Sequence, residues 1–539
     1  MTGKRLGRLW RSAVLALVVA APALAGGAIT ARADSAPANV AVTTPKPYSY
    51  QEPWLTVDPR NPQRMAVAYR EGGQRSVCSL ALSNDGGASW HTQDLIGPQG
   101  RLQWDSADTL CYEAVAQFGS DGTLYYAVQA MISFRDPFGR VLVTSSPDGV
   151  AFHTPVDVDP QTRNAGDVGG GDWYPRLAAQ PGTGALFVRW THYASRNVSG
   201  TTMVSSSRDH GDTFSAAVVA SPAGTTAAPA IDAMGTGLAV DGGGAVYVSW
   251  LDLTQRQAGC RGGATGATST CSMPVPLEVA ASHDGGRSFA APVVVDKAVD
   301  VGCPGRNAPG TTALASCDNL HFDRGPESFS IATGPAGGAA ELAWWGGDPE
   351  KNARISFATT HDGGSTWSVP RTVGTLKDAS GDEQQRPQLS VAPGGRIDMA
   401  YYDDTNGGDQ DVYLTSSEDS GATFSTPQLV SAVSSNINIG PVSEDGVHPG
   451  FGEWLGLYST NAVAAIAWTD TRRGSVDSAK QDIFFASVPL SGGSAVWVPI
   501  VAGVGGVLLL LLIAGGVLTL RARSRADIDE AARPAAGRV

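Results

Sequence analysis

One short motif recurs six times along this chain and constrains its fold more than any other feature. It reads Ser or Thr, any residue, Asp, any residue, Gly, two further residues and an aromatic ring, and we call it the Asp motif. Five copies begin at Ser83, Ser207, Ser282, Thr360 and Ser417, and a sixth, one residue shorter, begins at Ser146. An Asp side chain can accept hydrogen bonds from its own turn, and Gly adopts backbone angles that other residues resist. The pattern predicts six rigid hairpins with structural acidic residues: Asp85, Asp148, Asp209, Asp284, Asp362 and Asp419.

The Asp motifs belong to units that are rich in strand patterns. In the clearest unit, alternation and turn residues predict strands over 387–392, 396–402 and 411–416, with a fourth beginning at 428. Similar units begin near Trp54, Tyr112, Tyr174, Gly237, Ser328 and Glu453. The last unit has three predicted strands, 455–458, 464–468 and 483–488, and residues 39–43 are available as its fourth.

Seven units of four strands predict an all-β protein. A ring that borrows its last strand from the N-terminal side leaves no open sheet edge, and such closure protects β proteins from edge-to-edge pairing. Seven four-stranded sheets around one axis form a seven-bladed β-propeller, with a six-bladed ring as the alternative. We expect this propeller to occupy residues 38–490.

The six Asp motifs resemble the Asp boxes, or BNR repeats, of the sialidase-like superfamily of β-propellers. The resemblance covers most of the chain and implies the fold more specifically than the activity, because Asp boxes also occur in propellers without sialic acid chemistry. It implies a substrate carboxylate held by arginines, a Tyr nucleophile assisted by Glu, and a catalytic Asp. The catalytic candidates that we place on the matching face are Arg70, Arg176, Arg386, Tyr174, Glu113 and Glu327. The early Arg-Ile-Pro signature of sialidases is absent, and their catalytic propeller has six blades.

Acidic residues recur where the predicted innermost strands begin, on the face opposite the Asp motifs. With Glu52 and the catalytic candidates, they predict a ring of side chains at the mouth of the central channel. The binding candidates at this face are Asp172, Glu383, Glu453, Trp454, Asp404, Asp470 and Arg472. Clustered carboxylates favour a calcium site or an acid–base pair, and the alternative is a solvated rim with Arg partners. Calcium is thus an optional ligand, and no cofactor is required.

The loops between second and third strands offer further Asp residues. We expect such loops at 250–252, 402–411 and 468–473, where Asp404 aligns with Asp470. Their density of Asp and Asn resembles a calcium loop, and turn capping explains it equally well. The scattered histidines, among them His192, are interpreted as loop residues.

The two ends of the chain predict export and anchoring. Four basic residues precede an apolar run over 13–25, which indicates a signal peptide over 1–33. Residues 496–520 carry no charge, which is long enough for a transmembrane helix, and three Arg residues follow at once. We therefore expect a single-pass membrane protein with its propeller outside the cell and a cytoplasmic tail over 521–539.

Six cysteines lie in the predicted extracellular part, where an even number indicates disulfides. One of several connectivities pairs Cys78 with Cys111, Cys260 with Cys271, and Cys303 with Cys317. The extracellular part carries 28 basic and 48 acidic residues, which disfavours nucleic acid as a partner.

Three functions remain open from the sequence. The first is recognition of a carbohydrate or a cell-surface protein without turnover, aided by exposed aromatic side chains. The second is hydrolysis of the exo-α-sialidase type, and the third is a non-catalytic scaffold for another surface protein. The lipid bilayer is an expected partner through 496–520.

Overall fold

The computed structural model describes residues 36–72, 76–97, 100–102, 110–131, 139–160, 171–193, 200–222, 233–252, 274–300, 329–346, 354–374, 384–404, 409–441, 451–452 and 454–490. The predicted signal peptide, the predicted transmembrane segment 496–520 and the tail lie outside the described residues. Within the described ranges, no helix is long and apolar enough to span a bilayer. The propeller forms one compact unit that ends at Val488.

Seven antiparallel sheets follow one another along the described chain, which confirms the seven-bladed propeller. Blade 1 contains β2 (Ser49–Val57), β3 (Met65–Gly72), β4 (Val77–Ser83) and β5 (His91–Ile96). Blade 2 contains β6 (Leu110–Phe118), β7 (Leu124–Met131), β8 (Arg140–Ser146) and β9 (Val156–Asp157). Blade 3 contains β10 (Gly171–Ala179), β11 (Leu186–Tyr193), β12 (Thr201–Ser207) and β13 (Val218–Val219).

The second half of the ring repeats this order. Blade 4 contains β14 (Ala233–Val240), β15 (Val246–Asp252), β16 (Pro274–Ser282) and β17 (Val293–Asp300). Blade 5 contains β18 (Ser330–Ala332), β19 (Ala340–Gly346), β20 (Arg354–Thr360) and β21 (Arg371–Val373). Blade 6 contains β22 (Gln384–Val391), β23 (Ile397–Asp403), β24 (Asp409–Ser417) and β25 (Gln428–Leu429), and β26 (Ser435–Asn436) also pairs with β24.

Blade 7 closes the ring with a strand from the N-terminal side. It contains β27 (Gly456–Ser459), β28 (Val463–Asp470), β29 (Asp482–Pro489) and, as its outer strand, β1 (Val40–Ala41). Val40 is the Cα partner of Phe485, and the Val42 amide donates a 2.8 Å hydrogen bond to the Ile483 carbonyl. The prediction that residues 39–43 complete the last blade is confirmed.

The hydrogen bonds of the Asp motifs explain why their hairpins are rigid. In the copy at Ser417, the Ser hydroxyl donates to Asp419 Oδ1 at 2.8 Å and accepts from the Gly421 amide at 2.9 Å. Thr423 donates its hydroxyl to Asp419 Oδ2 at 2.6 Å and its amide to Oδ1 at 2.7 Å. Such bonds lower the pKa of Asp209, Asp362 and Asp419 to about 2, and the bond from the Thr hydroxyl has the largest effect. The structural role predicted for the acidic residue follows from this geometry.

All six Asp motifs lie at one end of the propeller. In each, the opening Ser or Thr is the Cα partner of the first residue of the blade's second strand. Each aromatic residue packs into the core shared with the preceding blade: Trp90, Phe152, Phe214, Phe289, Trp367 and Phe424. Because second strands run the same way in every blade, the innermost strands begin on the opposite face. We call this opposite surface the entry face.

The predicted disulfide between Cys78 and Cys111 is confirmed. It links the third strand of blade 1 to the innermost strand of blade 2, with Cα atoms 5.5 Å apart. Both residues are buried in the core between these blades. The other four cysteines, Cys260, Cys271, Cys303 and Cys317, lie outside the described residues.

Replacing Cys78 and Cys111 together by Ala is expected to lower the free energy of unfolding by about 3–4 kcal/mol. The bridge closes a separation of 33 residues, and its removal restores that loop's entropy to the unfolded chain. Urea unfolding of the oxidised protein and the double variant measures the difference. A loss below about 1 kcal/mol would show that the bridge adds little to this blade interface.

Candidate functional site on the entry face

The innermost strands share an irregularity close to their first residues. The pairing register shifts between Gln51 and Trp54 in blade 1, and comparable shifts occur in blades 2, 3, 4 and 6. A bulge of this kind bends a strand and redirects its side chains, and bulges are common next to functional sites. The bulges therefore redirect side chains at the start of the innermost strands.

Three of these bulges contain a non-glycine residue with left-handed backbone. Glu52 and Tyr174 have φ of 60°, and Arg386 has φ of 54°. Each is followed by Pro, which has no amide hydrogen to lose from the strand pairing. Such backbone strain is uncommon outside glycine and concentrates at functional sites. Two of these three residues, Tyr174 and Arg386, are catalytic candidates from the sequence analysis.

A cavity of about 50 Å³ lies among the bulged strands. Its lining comprises Trp54, Arg176, Gly237, Leu238, Phe329, Ser330, Ile331, Arg386, Pro387, Gln388, Trp454 and Leu455. Arg176 and Arg386, from blades 3 and 6, therefore share one cavity. A volume of this size holds about three water molecules.

Arg176 is held between two aromatic rings and a carboxylate. Its guanidinium carbon lies 4.9 Å from the ring centre of Trp54 and 4.3 Å from that of Trp454. Its Nη1 donates to Glu113 Oε2 at 3.2 Å and to the Pro175 carbonyl at 2.7 Å. Cation–π contact and a charge-assisted hydrogen bond fix this side chain at the centre of the ring.

The Glu113 carboxylate lies close enough to several arginines for their positive charges to stabilise it. Burial raises the pKa of the Glu113 carboxyl, while Arg176, Arg70 and Arg189 act in the opposite direction. Arg70 Nε also lies 2.8 Å from Glu52 Oε1. Glu52 and Glu113 thus have arginine partners, as the rim alternative predicted, but both carboxylates are buried rather than solvated.

Blade 3 presents a second group of residues, of which four are half-buried and one is fully buried. Asp172 Oδ1 lies 2.8 Å from His192 Nδ1, and Asp172 is fully buried while His192 is half-buried. The half-buried rings of Trp173 and Tyr174 lie 6.4 Å apart, and the half-buried Tyr193 follows His192 at the end of β11. We call the five residues Asp172, Trp173, Tyr174, His192 and Tyr193 the blade 3 rim.

The interpretation of His192 as a loop residue is wrong. His192 lies in β11 and is the Cα partner of Asp172 in β10. Sequence reasoning missed it because the strand continues past the apolar run that defined it. The sequence did contain a signal for this strand. Trp190 and His192 are two residues apart, with Thr191 between them, and residues at that spacing in a strand point to the same face.

The predicted loops between second and third strands begin later than expected. Trp250 and Asp252 lie in β15, Tyr402 in β23, and Trp468 and Asp470 in β28. Asp470 and Arg472 form a structural pair, with Arg472 Nη2 and Asp470 Oδ2 2.7 Å apart and Arg472 also bonded to Asn39. These two residues therefore join β28 to the strand that closes the ring. Asp404 is buried directly after β23.

The remaining site candidates and the metal prediction can be placed only in part. Glu327, Glu383 and Glu453 lie outside the described residues. Within the described ranges, no group of three or more His, Cys, Asp or Glu residues is arranged to hold a metal ion. The structure does, however, place Arg189 beside Arg176 and Glu113, and the sequence analysis did not select that residue.

Solved structures with a similar architecture include several carbohydrate-active enzymes. A Hadza microbial sialidase, Hz136, is 12% identical over 80% of this chain and 75% of its own, with a TM-score of 0.42. A polysaccharide lyase of family PL25, an ulvan lyase, is 13% identical over 82% and 94%, with a TM-score of 0.47. An α-L-arabinofuranosidase, Arb93A of Fusarium graminearum, is 12% identical over 71% and 98%, with a TM-score of 0.43.

No protein-family model and no curated protein matches the sequence. With superpositions this distant, the fold assignment depends on the strand pairings of the chain itself. The chain is a seven-bladed β-propeller with six Asp-motif hairpins on one face, and it resembles the sialidase-like superfamily of β-propellers.

Proposed function

We propose that this chain is a membrane-anchored cell-surface propeller that recognises a glycan on its entry face. The observation that carries the proposal is the blade 3 rim, where two half-buried aromatic rings and a buried carboxylate–imidazole pair occur together at the start of β10 and the end of β11. Aromatic rings supply flat apolar surface, and neighbouring polar groups supply directed hydrogen bonds to hydroxyls. The solved glycosidases and lyase of similar architecture are consistent with a carbohydrate ligand.

The backbone around Tyr174 supports a binding role for the rim. Tyr174 has a left-handed φ of 60°, and its amide donates to Gln129 Oε1 of blade 2 at 3.2 Å. This bond to blade 2 anchors the backbone that carries the Tyr174 ring before a ligand arrives. Preorganised side chains lose less conformational entropy on binding.

Recognition is favoured over hydrolysis by the size of the central cavity. The exo-α-sialidase alternative needs a substrate carboxylate between arginines such as Arg176 and Arg386. Those two residues are buried, and the cavity that they share is about 50 Å³. A sugar ring would need a larger enclosed volume, whereas the aromatic residues of the blade 3 rim are already partly exposed.

Trp173→Ala is expected to weaken glycan binding by at least about tenfold, because a central Trp contributes about 2 kcal/mol or more at a binding site. Full-length protein in mild detergent is first screened on a glycan array, and its best ligand is titrated against the variant by calorimetry. Trp90→Ala is the matched control, since Trp90 belongs to an Asp motif on the opposite face.

We expect Trp90→Ala to lower the melting temperature and to leave glycan affinity unchanged. Equal affinity of wild type and Trp173→Ala, or equal loss in both variants, contradicts the location of the site. Absence of any glycan ligand favours the surface-protein partner or the scaffold function.

Residues 496–520 are the proposed membrane anchor, with the propeller exported by the leader over 1–33. Truncation after residue 490 is expected to release the protein from the membrane fraction into the medium. Immunoblots of membrane and medium fractions measure this redistribution. Retention of the truncated protein in the membrane fraction contradicts the anchor.

A further inference from the structure

The start of β10 is joined to blade 2 by a direct contact between two backbones. Gly139, the residue before β8, forms an isolated parallel bridge with Gly171, the first residue of β10. The Asp172 amide donates to the Gly139 carbonyl at 2.9 Å. A backbone hydrogen bond between two blades therefore ends on a residue of the blade 3 rim.

This contact leaves no room for a side chain on either glycine. A Cβ placed on Gly139 would lie 2.7 Å from the Asp172 carbonyl oxygen and 2.9 Å from Trp173 Nε1. A Cβ on Gly171, whose φ is 115°, would overlap the Gly139 backbone. Glycine permits such close approach of one backbone to another. The edge of the Trp173 indole therefore packs directly against Gly139.

A second contact with blade 2 holds the next residue of the rim. Tyr174 lies in the bulge of β10, where the pairing with β11 is interrupted. Its amide donates to Oε1 of Gln129, a buried residue of β7, at 3.2 Å. Blade 2 thus contacts three consecutive residues of the rim, Asp172 and Tyr174 through their amides and Trp173 through its indole.

We propose that Gly139 and Gln129 are positioning residues for glycan binding, so that the site on blade 3 depends on its contact with blade 2. This inference rests on the proposed function, because it takes the blade 3 rim as the glycan site. Aromatic residues that a neighbouring blade already holds lose less conformational entropy when a sugar binds. Displacement of Trp173 from Gly139 removes that advantage.

The Gly139→Ala variant tests the contact by adding one methyl group to it. The backbone of Gly139 is not left-handed, so the methyl group acts through close approach alone. Full-length protein in mild detergent is labelled with fluorotryptophan, and Trp173→Phe assigns the Trp173 fluorine resonance. We expect Gly139→Ala to shift this resonance. We also expect it to weaken affinity for the glycan selected on the array by about tenfold, the effect expected of Trp173→Ala.

Gly242→Ala is the matched control, because Gly242 lies in the turn between β14 and β15 on the Asp-motif face. Its added methyl group would meet the Pro335 carbonyl oxygen, so the same chemical change crowds a backbone away from the rim. We expect Gly242→Ala to lower the melting temperature and to leave the Trp173 resonance and glycan affinity unchanged.

Gln129→Met carries the test if Gly139→Ala does not fold. It removes the acceptor of the Tyr174 amide and leaves the Gly139 contact intact. We expect it to weaken affinity for the same glycan by about fivefold, which corresponds to one neutral hydrogen bond. Unchanged affinity in Gln129→Met would overturn the role of Gln129.

The two readouts separate failure of this inference from failure of the proposed function. An unshifted Trp173 resonance in Gly139→Ala overturns the inference, whatever the protein binds. A shifted resonance with unchanged glycan affinity also overturns it, and if Trp173→Ala then binds normally, the location of the glycan site is wrong as well. Absence of any glycan ligand overturns the proposed function and the binding role of both residues together.

Discussion

Phe485→Ala is expected to lower the free energy of unfolding by about 3–5 kcal/mol, which is typical of a buried Phe truncated to Ala. Phe485 lies in β29 and pairs with Val40 of the strand that closes the ring. Its ring centre is 5.2 Å from that of Trp90, and a Cβ placed on Gly87 would lie 2.1 Å from its Cε1. The side chain therefore fills the contact between blade 7 and the Asp motif of blade 1.

Urea unfolding followed by tryptophan fluorescence measures this loss. Val476→Ala is the control, because Val476 is 68% exposed and its truncation should change stability by less than about 0.5 kcal/mol. A loss below about 1 kcal/mol for Phe485→Ala would mean that ring closure does not depend on this contact. Loss of stability without loss of glycan binding would show that glycan binding at the blade 3 rim does not depend on the contact that closes the ring.

Between pH 4.5 and pH 8, the free energy of unfolding of the wild-type protein is expected to fall by about 4–5 kcal/mol because Glu341 ionises. The Glu341→Gln variant is expected to lack this fall. Glu341 lies in β19, and burial raises the pKa of its carboxyl from 4.5 to about 8. In this range the folded protein binds a proton that the unfolded chain has released, so stability falls as pH rises and levels off above pH 8. Gln keeps the shape without the charge.

Denaturant unfolding of both proteins from pH 4 to pH 9 tests this dependence. Glu418→Gln is the matched control, since Glu418 is an exposed residue of an Asp motif and its replacement should leave the profile unchanged. Parallel profiles for wild type and Glu341→Gln would show that Glu341 ionises as easily in the folded protein as in the unfolded chain.

The blades were predictable because their determinants are local. The strands expected at 396–402 and 411–416 are observed as β23 (Ile397–Asp403) and β24 (Asp409–Ser417). Alternation of apolar residues selects the strand, and the Asp motif terminates it through bonds within one hairpin. The strand ends on the entry face were less predictable, because pairing with a neighbour extends Trp250 and Asp470 into strands despite their polar surroundings.

The sequence identified several residues of the candidate site but not how they are arranged in space. Arg176, Arg386 and Trp454 do line one cavity, as their shared position at the start of innermost strands suggested. Arg472 was assigned to the same face from its position after the second strand, but its partner is Asp470 at the edge that closes the ring. The choice between these environments depends on side-chain contacts across blades.

The sequence by itself determined the four-stranded repeat of the blades and the face that carries the Asp motifs. Each of these follows from a repeat or from a pattern within about fifty residues, so no distant contact is needed to specify it. Only the tertiary structure decided the pairing of Glu113 with Arg176, the contact of His192 with Asp172 and the burial of Arg189 beside Arg176. These contacts depend on how bulged strands from different blades meet near the propeller axis. The free-energy cost of each charge there is set by its burial rather than by its residue type.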